Sequence, residues 1–404
     1  MLAALALSPL LALDCASGLS GAKALDASTP RGATAASNAF GFDLYARLKQ
    51  DNDNLICSPL SAAVALNMAS AGARGATRAE MLSVLHVDPQ RAAETHASFG
   101  GLLTAINGRD GTGGVILHVA DRLWGQSGFS FNRDFLALLR DTYRAPLETV
   151  DFEHARGDAA TAINHWVAAQ THDRIPQIIN EGDLPPTTRL VLTNAVYFKG
   201  KWDRPFAESR TRPRLFAGVS GSAEVPMMAQ QGSFDYLREG SVQVLELTYG
   251  GDLSMVVVLP DHPGDLPAVE RKLARNYAGW LAALSPTLVD LWLPRWTSRS
   301  RLDLGAKLQA AGMRLAFSQS AADLSGISNA PLSIDKVLQE AFIEVNETGT
   351  EAAAATFVGM GLKSRHIPAE EPKIFHADHP FLYLIRDRKT GAVLFLGRVA
   401  GLGG

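Results

Sequence analysis

The residues that could support catalysis form two short groups near the carboxyl end of the chain. Ser333 and Lys336 have the S-x-x-K spacing of a serine nucleophile beside a lysine base. His376 and His379 lie three residues apart and could supply two imidazole ligands to a metal if they were helical. The companion motifs of the first group are missing, no third metal ligand is signalled nearby, and Pro380 follows His379 directly. We therefore predict no enzyme, no cofactor and no metal site.

The rest of the chain lacks the common catalytic motifs. It contains no G-x-S-x-G elbow, no Walker loop, no H-E-x-x-H and no C-x-x-C. The net charge of -3, the pI near 6.4 and the scattered basic residues argue against a nucleic-acid partner. Beyond the N-terminal segment, no stretch reaches the roughly 18–20 apolar residues of a membrane span. Cys57, in the apolar run LICSPL, is interpreted as a buried small hydrophobe rather than a nucleophile.

The N-terminal segment has the pattern of a secretory signal. An apolar run from Leu2 to Leu13 precedes small residues and an A-x-A sequence that ends at Ala24, although no Lys or Arg precedes the run. We predict a leader over residues 1–30, cut after Ala24, and a protein secreted to the extracellular space or the periplasm. A disordered Ala-rich tail is one alternative, and a lipoprotein attached at Cys15 is another, which Asp14 disfavours because a small residue is wanted there. If the leader is removed, Cys57 is the only cysteine and no intramolecular disulfide can form.

Hydrophobic patterns predict helices in the first half of the chain and strands in the second. Residues 34–50 have helical spacing, and the run after Ser58, with Pro59 at the first helical position, is apolar nearly all round and predicts a buried central helix. Runs such as TRLVLTNAVYFKGKW and LSMVVVLP predict strands, and FLYLIRDRKTGAVLFLGRVA predicts a hairpin that turns at Gly391. Because neither βαβ alternation nor a linker is evident, we predict one α+β domain over residues 34–402.

The segment EVNETGTEAAAATFVGMGLKSR, from Glu344 to Arg365, combines an alanine run with flanking glycines. As a helix it would have about nine residues, fewer than the roughly 12–15 that are stable in isolation. Read at a period of two, every second residue from Thr350 to Leu362 is uncharged, so one face of a strand could be buried. Ala and Gly are poor strand formers. We therefore predict a segment that becomes a strand only conditionally, by inserting into an existing sheet.

This segment and several others, in the same order, resemble the serpin family from about residue 35 to 402. The most specific match is FIEVNETGTEAAAATF, which is similar to the serpin hinge. Further matches are LICSPLSAAVALNMASAGARGATRAEML, LTNAVYFKGKWDRPF, VPMM, ADLSGIS and the C-terminal hairpin. The resemblance implies a serpin fold with three β-sheets, eight to nine helices and an exposed reactive-centre loop at about residues 347–372. It also implies a monomer that inhibits serine proteases as a suicide substrate.

The resemblance further implies which residues would act. The hinge would comprise Glu347, Gly349, Thr350, Glu351, Ala352, Ala353, Ala354 and Ala355. Counting fourteen residues from the hinge glycine places the reactive bond at Lys363–Ser364, with Arg365–His366 as the alternative. A basic residue before the bond suits a trypsin-like protease, whose specificity pocket ends in a carboxylate. The alternative function is a non-inhibitory serpin that serves as a binding or chaperone module; the small residues of the alanine run favour inhibition.

In this family, polar residues beneath the sheet control its opening. The resemblance assigns that control here to Ser58, Ser61, Asn194 and Gln339, and Trp202 matches the family's aromatic residue at the point where the strand enters. For Ser58, a plain N-cap is an equally good interpretation. The family often has His at the position of Gln339, and Gln can donate and accept hydrogen bonds but cannot titrate near neutral pH. The sequence therefore gives no support for pH-linked control of insertion.

Overall fold

The computed structural model describes residues 29–49, 53–350 and 371–403. This part of the chain contains eight α-helices: α1 (Pro30–Leu48), α2 (Pro59–Ser70), α3 (Gly75–Val84), α4 (Ala92–Asn107), α5 (Arg133–Asp141), α6 (Arg156–Gln170), α7 (Leu266–Ala283) and α8 (Gly305–Ala310). None of these helices is both long and apolar enough to cross a membrane.

Capping residues decide where the first two helices begin. Thr29 accepts a hydrogen bond from the backbone of Gly32 at 3.0 Å, and Pro30 follows it, so α1 begins four residues before the predicted domain start at Thr34. Ser58 caps α2 in the same way, accepting from the backbone N–H of Ser61 at 3.4 Å. Every residue of α2 is buried, which confirms the predicted central helix.

The described residues also form fifteen strands. These are β1 (Leu55–Cys57), β2 (Ile116–Gln126), β3 (Glu148–Val150), β4 (Leu190–Lys201), β5 (Arg212–Gly218), β6 (Gly221–Glu239), β7 (Val242–Tyr249), β8 (Leu253–Pro260), β9 (Ser285–Pro294), β10 (Trp296–Asp303), β11 (Lys336–Asn346), β12 (Gly349–Thr350), β13 (Lys373–His376), β14 (Phe381–Asp387) and β15 (Val393–Val399). The predicted C-terminal hairpin is the antiparallel pair β14–β15, which turns at Gly391 with φ of 78°.

Nine of the strands form one hydrogen-bonded sheet. Its order is β1-β15-β14-β8-β7-β6-β9-β13, with β5 paired to β6. The long strand β6 pairs with β5 through its first residues and with β7 through its last, while β9 pairs along its middle. The predicted α+β class is confirmed, and β6 joins two of the three expected sheets into one continuous sheet.

The remaining six strands form a second sheet in the order β10-β11-β12-β4-β2-β3. β11 and β4 pair directly and in parallel, through the seven residue pairs that join Lys336–Phe342 to Val191–Tyr197. Beyond this stretch β12 lies between the two strands and is antiparallel to both. We call the boundary between β4 and β11 the seam. It is closed along most of its length and occupied by β12 at one end.

The two faces of the six-stranded sheet are covered differently. On the inner face, α2 packs between this sheet and β15 of the nine-stranded sheet, within the main hydrophobic core. On the outer face, α6 and the connector over residues 171–189 bury a smaller apolar cluster that includes Ile175, Ile178 and Ile179. A strand that entered the seam would therefore have α2 below it and the connector above it.

Candidate functional site

The start of the predicted hinge is already part of the six-stranded sheet. Thr350 lies opposite Val345 of β11 and Gly200 of β4, and Gly349 lies opposite the next residue of each strand. Gly349 has φ of 149°, and a Cβ atom built on it would collide with the carbonyl oxygen of Gly200. Only glycine allows the backbone to approach β4 this closely. The hinge therefore enters the seam at this residue.

Thr350 shows which face of the segment points into the core. Its side chain is 0% exposed, and its hydroxyl lies 2.8 Å from the hydroxyl of Tyr249. The ring of Tyr249 stacks on Trp202, with ring centroids 4.2 Å apart. Trp202 also donates from its indole nitrogen to the carbonyl of Asn346 at 2.9 Å and from its backbone to that of Thr348 at 3.0 Å. The predicted aromatic residue thus lies directly beside the point where β12 begins.

Glu347 anchors the chain just before β12. Its carboxylate accepts hydrogen bonds from Arg295 at 2.7 Å and from the hydroxyl of Thr211 at 2.5 Å, and its backbone carbonyl accepts from Phe206 at 2.8 Å. Burial alone would raise the pKa of Glu347, but the hydrogen bonds from Arg295, Thr211 and the backbone, together with the charge of Arg295, hold the pKa below its ordinary value. The carboxylate is therefore ionised at neutral pH and fixes the start of the hinge.

The other predicted loop residues lie outside the described part of the chain. These are the hinge residues Glu351, Ala352, Ala353, Ala354 and Ala355, and the candidate reactive bonds Lys363–Ser364 and Arg365–His366. The described chain resumes at Glu371, just before β13.

Four of the predicted control residues meet under the seam. Gln339 accepts from the backbone N–H of Ser58 at 2.8 Å and donates to its carbonyl at 3.0 Å. The amide of Gln339 also lies 3.5 Å from that of Asn194, its register partner across the seam. Ser61 joins them through the carboxyl of Asp121. These polar side chains connect α2, β2, β4 and β11. We call the five residues the inner cluster: Ser58, Ser61, Asp121, Asn194 and Gln339.

Asp121 is the member of the inner cluster that sequence reasoning missed. Its Oδ1 accepts from the hydroxyl of Ser61 at 2.6 Å and from the amide of Asn194 at 2.9 Å. Its Oδ2 is buried without a hydrogen-bond partner among the described residues. Burial raises the pKa of Asp121 to about 8, and the hydrogen bonds from Ser61 and Asn194 offset only part of that effect. The carboxyl is thus largely protonated at neutral pH.

Arg174, in the connector between α6 and β4, was also missed. Its guanidinium lies 5.9 Å from the ring centroid of Phe342 on β11 and hydrogen-bonds with Tyr197 on β4. Phe342 and Tyr197 are the last register partners before β12. Arg174 therefore bridges the seam on its outer face, at the point where the parallel pairing ends.

The groups considered first for catalysis have ordinary structural surroundings. Lys336 contacts Asp303 rather than Ser333. His376 stacks on Trp292 with ring centroids 3.5 Å apart. The imidazole of His379 lies 2.7 Å from both a carboxylate oxygen of Asp378 and the carbonyl of Pro260. In the described ranges, no three His, Cys, Asp or Glu side chains are grouped so that they could hold a metal ion.

Cys57 is buried beside β15. Its thiol lies 3.5 Å from the carbonyl of Leu396, and burial raises the pKa of the thiol to about 12. A thiol that stays protonated and enclosed is a poor nucleophile. The side chain therefore serves as a small apolar residue in the core.

A family model, related sequences and solved structures all match this chain to the same family. The family model described as "Serpin (serine protease inhibitor)" matches residues 35–401. An uncharacterized serpin-like protein of Thermococcus kodakarensis is 41% identical, over 90% of this chain and 84% of its own length. The leukocyte elastase inhibitor of Sus scrofa is 39% identical over 91% and 98% of the two chains. The crystal structure of Serpin48 from Tenebrio molitor superposes with a TM-score of 0.79 at 33% identity, covering 91% and 97%.

Proposed function

Because this chain belongs to the serpin (serine protease inhibitor) family, we propose that it inhibits trypsin-like serine proteases as a suicide substrate. One observation carries the proposal: β12 already lies between β4 and β11, antiparallel to both. The segment that follows Thr350 can therefore extend this strand by separating the seam. The matched relative named as an elastase inhibitor supports the inhibitory reading over the alternative of a binding or chaperone module.

The register of β12 fixes where the inserted residues would lie. Six residues beyond Thr350, an extension in register places Thr356 opposite Asn194 on β4 and Gln339 on β11. Because side chains alternate along a strand, Thr356 would share the buried face of Thr350. Its hydroxyl would then lie within the inner cluster, between the two amides that now face each other across the seam. The cluster can thus exchange its present contacts for contacts with the inserted strand.

The proposed chemistry belongs to the target protease. Its serine oxygen attacks the carbonyl carbon of Lys363, and an ester bond forms as the peptide bond to Ser364 breaks. The amine of Ser364 leaves with a proton supplied by the protease's own acid. Serpins as a family then insert the freed loop into the large sheet. About fourteen inserted residues span roughly 46 Å, so the acylated protease would be carried across the molecule before water can hydrolyse the ester.

The test is incubation of the full chain with trypsin, followed by a denaturing gel. A covalent complex of the two proteins supports the proposal, and cleavage without a complex supports the non-inhibitory alternative. Lys363→Ala should abolish the covalent complex with trypsin, and Arg365→Ala is its matched control. If Arg365→Ala abolished the complex while Lys363→Ala did not, the reactive bond would be Arg365–His366.

We also propose that the leader predicted within residues 1–30, cut after Ala24, directs the chain out of the cell, and that residues 34–402 act as one monomeric domain. Residues 1–28 lie outside the described part of the chain. Protein recovered from the medium or the periplasm should begin at Leu25, as measured by N-terminal sequencing. Recovery of the full-length chain from the cell interior would contradict export.

A further inference from the structure

The inner cluster contains an ionisable group at its centre. We propose that Asp121 is a positioning residue through which pH sets the rate at which a strand enters the seam. The proposal rests on the proposed function, because insertion is the event that Asp121 would control. It replaces the expectation that substitution of Gln339 for the family's His leaves insertion without pH-linked control.

The contacts of Asp121 link its carboxyl to both sides of the seam. Oδ1 accepts from Ser61 on α2 and from Asn194 on β4, and Asn194 is in turn 3.5 Å from Gln339 on β11. Separation of β4 from β11 must break the contact between the two amides, since they are register partners. The carboxyl of Asp121 therefore bonds directly to Asn194, one of the two residues whose contact insertion must break.

The hydrogen-bond partners of this carboxyl in the described structure are Ser61 and Asn194. Arg144, Arg122 and His118 line the same cavity as Asp121, but no ion pair within the described ranges joins any of them to it. α2 carries no charged residue, and the inward neighbours of Asn194 and Gln339 on β4 and β11 are apolar: Leu192, Val196, Val337 and Ala341. On β2, His118 and Arg122 occupy positions of the opposite strand face, where Arg122 approaches Glu148 at 3.7 Å. α4 hydrogen-bonds with β2 through Asn107, about three turns from its titratable residues Glu94 and His96.

The sign of the effect follows from burial. Asp121 is 5% exposed while the seam is closed, and an ionised carboxylate there would be a buried charge without a counterion. Opening the seam hydrates the group and returns its pKa towards the ordinary value for Asp. Between that ordinary value and about 8, the closed sheet binds a proton that the open sheet releases. Raising the pH through this range therefore destabilises the closed sheet relative to the open one.

The experiment uses the intact full chain and a synthetic peptide with the sequence of residues 350–362. Insertion of the peptide is followed by the rise in thermal stability, at about pH 6 and about pH 9. We expect the insertion rate of the natural chain to rise at least about tenfold between these values, because one pKa unit corresponds to a factor of ten. Asp121→Asn, which is isosteric and neutral, should change by less than about twofold over the same range.

Glu340→Gln is the matched control, since Glu340 is a buried carboxylate of the same sheet that pairs with Arg299 at 2.6 Å. This variant should keep the pH dependence of the natural chain. An equal slope in Asp121→Asn and the natural chain, or no insertion at either pH, would overturn the proposal. No protease takes part, so the result is independent of whether a covalent complex forms.

A second measurement covers the case in which Asp121→Asn does not fold. Infrared spectroscopy of the natural chain should show the carbonyl stretch of a protonated carboxylic acid near neutral pH, and the band should disappear towards about pH 9. A spectrum without this band at neutral pH would equally overturn the proposal.

Discussion

At the scale of single residues, Thr350 decides whether the hinge can enter the seam. We expect Thr350→Arg to convert the proposed inhibitor into a substrate, because a guanidinium at this buried position would be an unpaired charge in the core. Trypsin should still cut the loop, but the gel should show cleaved chain in place of covalent complex. Thr348→Arg is the control, since Thr348 is only half-buried and its hydroxyl bonds to Asn346 at the end of β11. Retention of the complex in Thr350→Arg would contradict this role.

Single residues also show the limits of the sequence. Ser58, Asn194 and Gln339 could be named from motifs, and the structure brings them into contact. Asp121 could not, because an Asp in the alternating run HVADRLWG is ordinarily interpreted as solvent-facing. Its inward position between Val119 and Leu123 was the available signal. What the sequence cannot show is which other elements meet that face.

At the scale of elements, the connector between α6 and β4 closes the outer face of the seam. Arg174→Ala should speed insertion of the 350–362 peptide by about two- to fivefold, because a cation–π contact of this kind contributes about 0.5–1 kcal/mol. Thermal stability of the natural fold should change little. Arg189→Ala is the control: Arg189 belongs to the same connector, but its guanidinium lies over Phe129 and bonds to Glu153 rather than to a side chain of β4 or β11. Equal rates for both variants would exclude Arg174 as a restraint.

The elements themselves were predictable to different degrees. Strands with β-branched and aromatic runs were identified, as was the apolar helix α2, because burial on all sides leaves a clear pattern. The helix α7 was overlooked between two strand predictions, although Val269, Leu273, Tyr277 and Trp280 recur at helical spacing and are buried. The position of β12 was beyond sequence reasoning, since a strand of two residues is too short to show the alternation that identifies strands.

At the scale of the whole molecule, the proposed mechanism requires that the uncleaved fold is not the most stable one. Cleavage at Lys363–Ser364 should raise the melting temperature by about 10 °C or more. The reason is that insertion would bury Val358, Met360 and Leu362, at about 1.5–3 kcal/mol for each side chain. Calorimetry before and after brief exposure to trypsin measures the change. An unchanged melting temperature after complete cleavage would exclude a stored-strain mechanism.

The register of β12 has one more consequence, for chain length. This register is set before any bond is cut, because Gly349 and Thr350 are already paired with both neighbouring strands. The position of each inserted alanine therefore depends on its distance in sequence from Thr350. Deleting Ala354 alone would turn every later residue to the opposite side of the strand, and Phe357 would replace Thr356 towards α2. Deleting Ala354 and Ala355 together keeps the facing and shortens the strand by only about 7 Å.

We therefore expect the single deletion to abolish the covalent complex with trypsin and the double deletion to weaken it less. Equal complex formation by the two variants would mean that the register of β12 is lost during insertion. If the single deletion is the more damaging, the number of residues in the alanine run matters more than their identity. Loops that differ by one residue in length could then not replace each other.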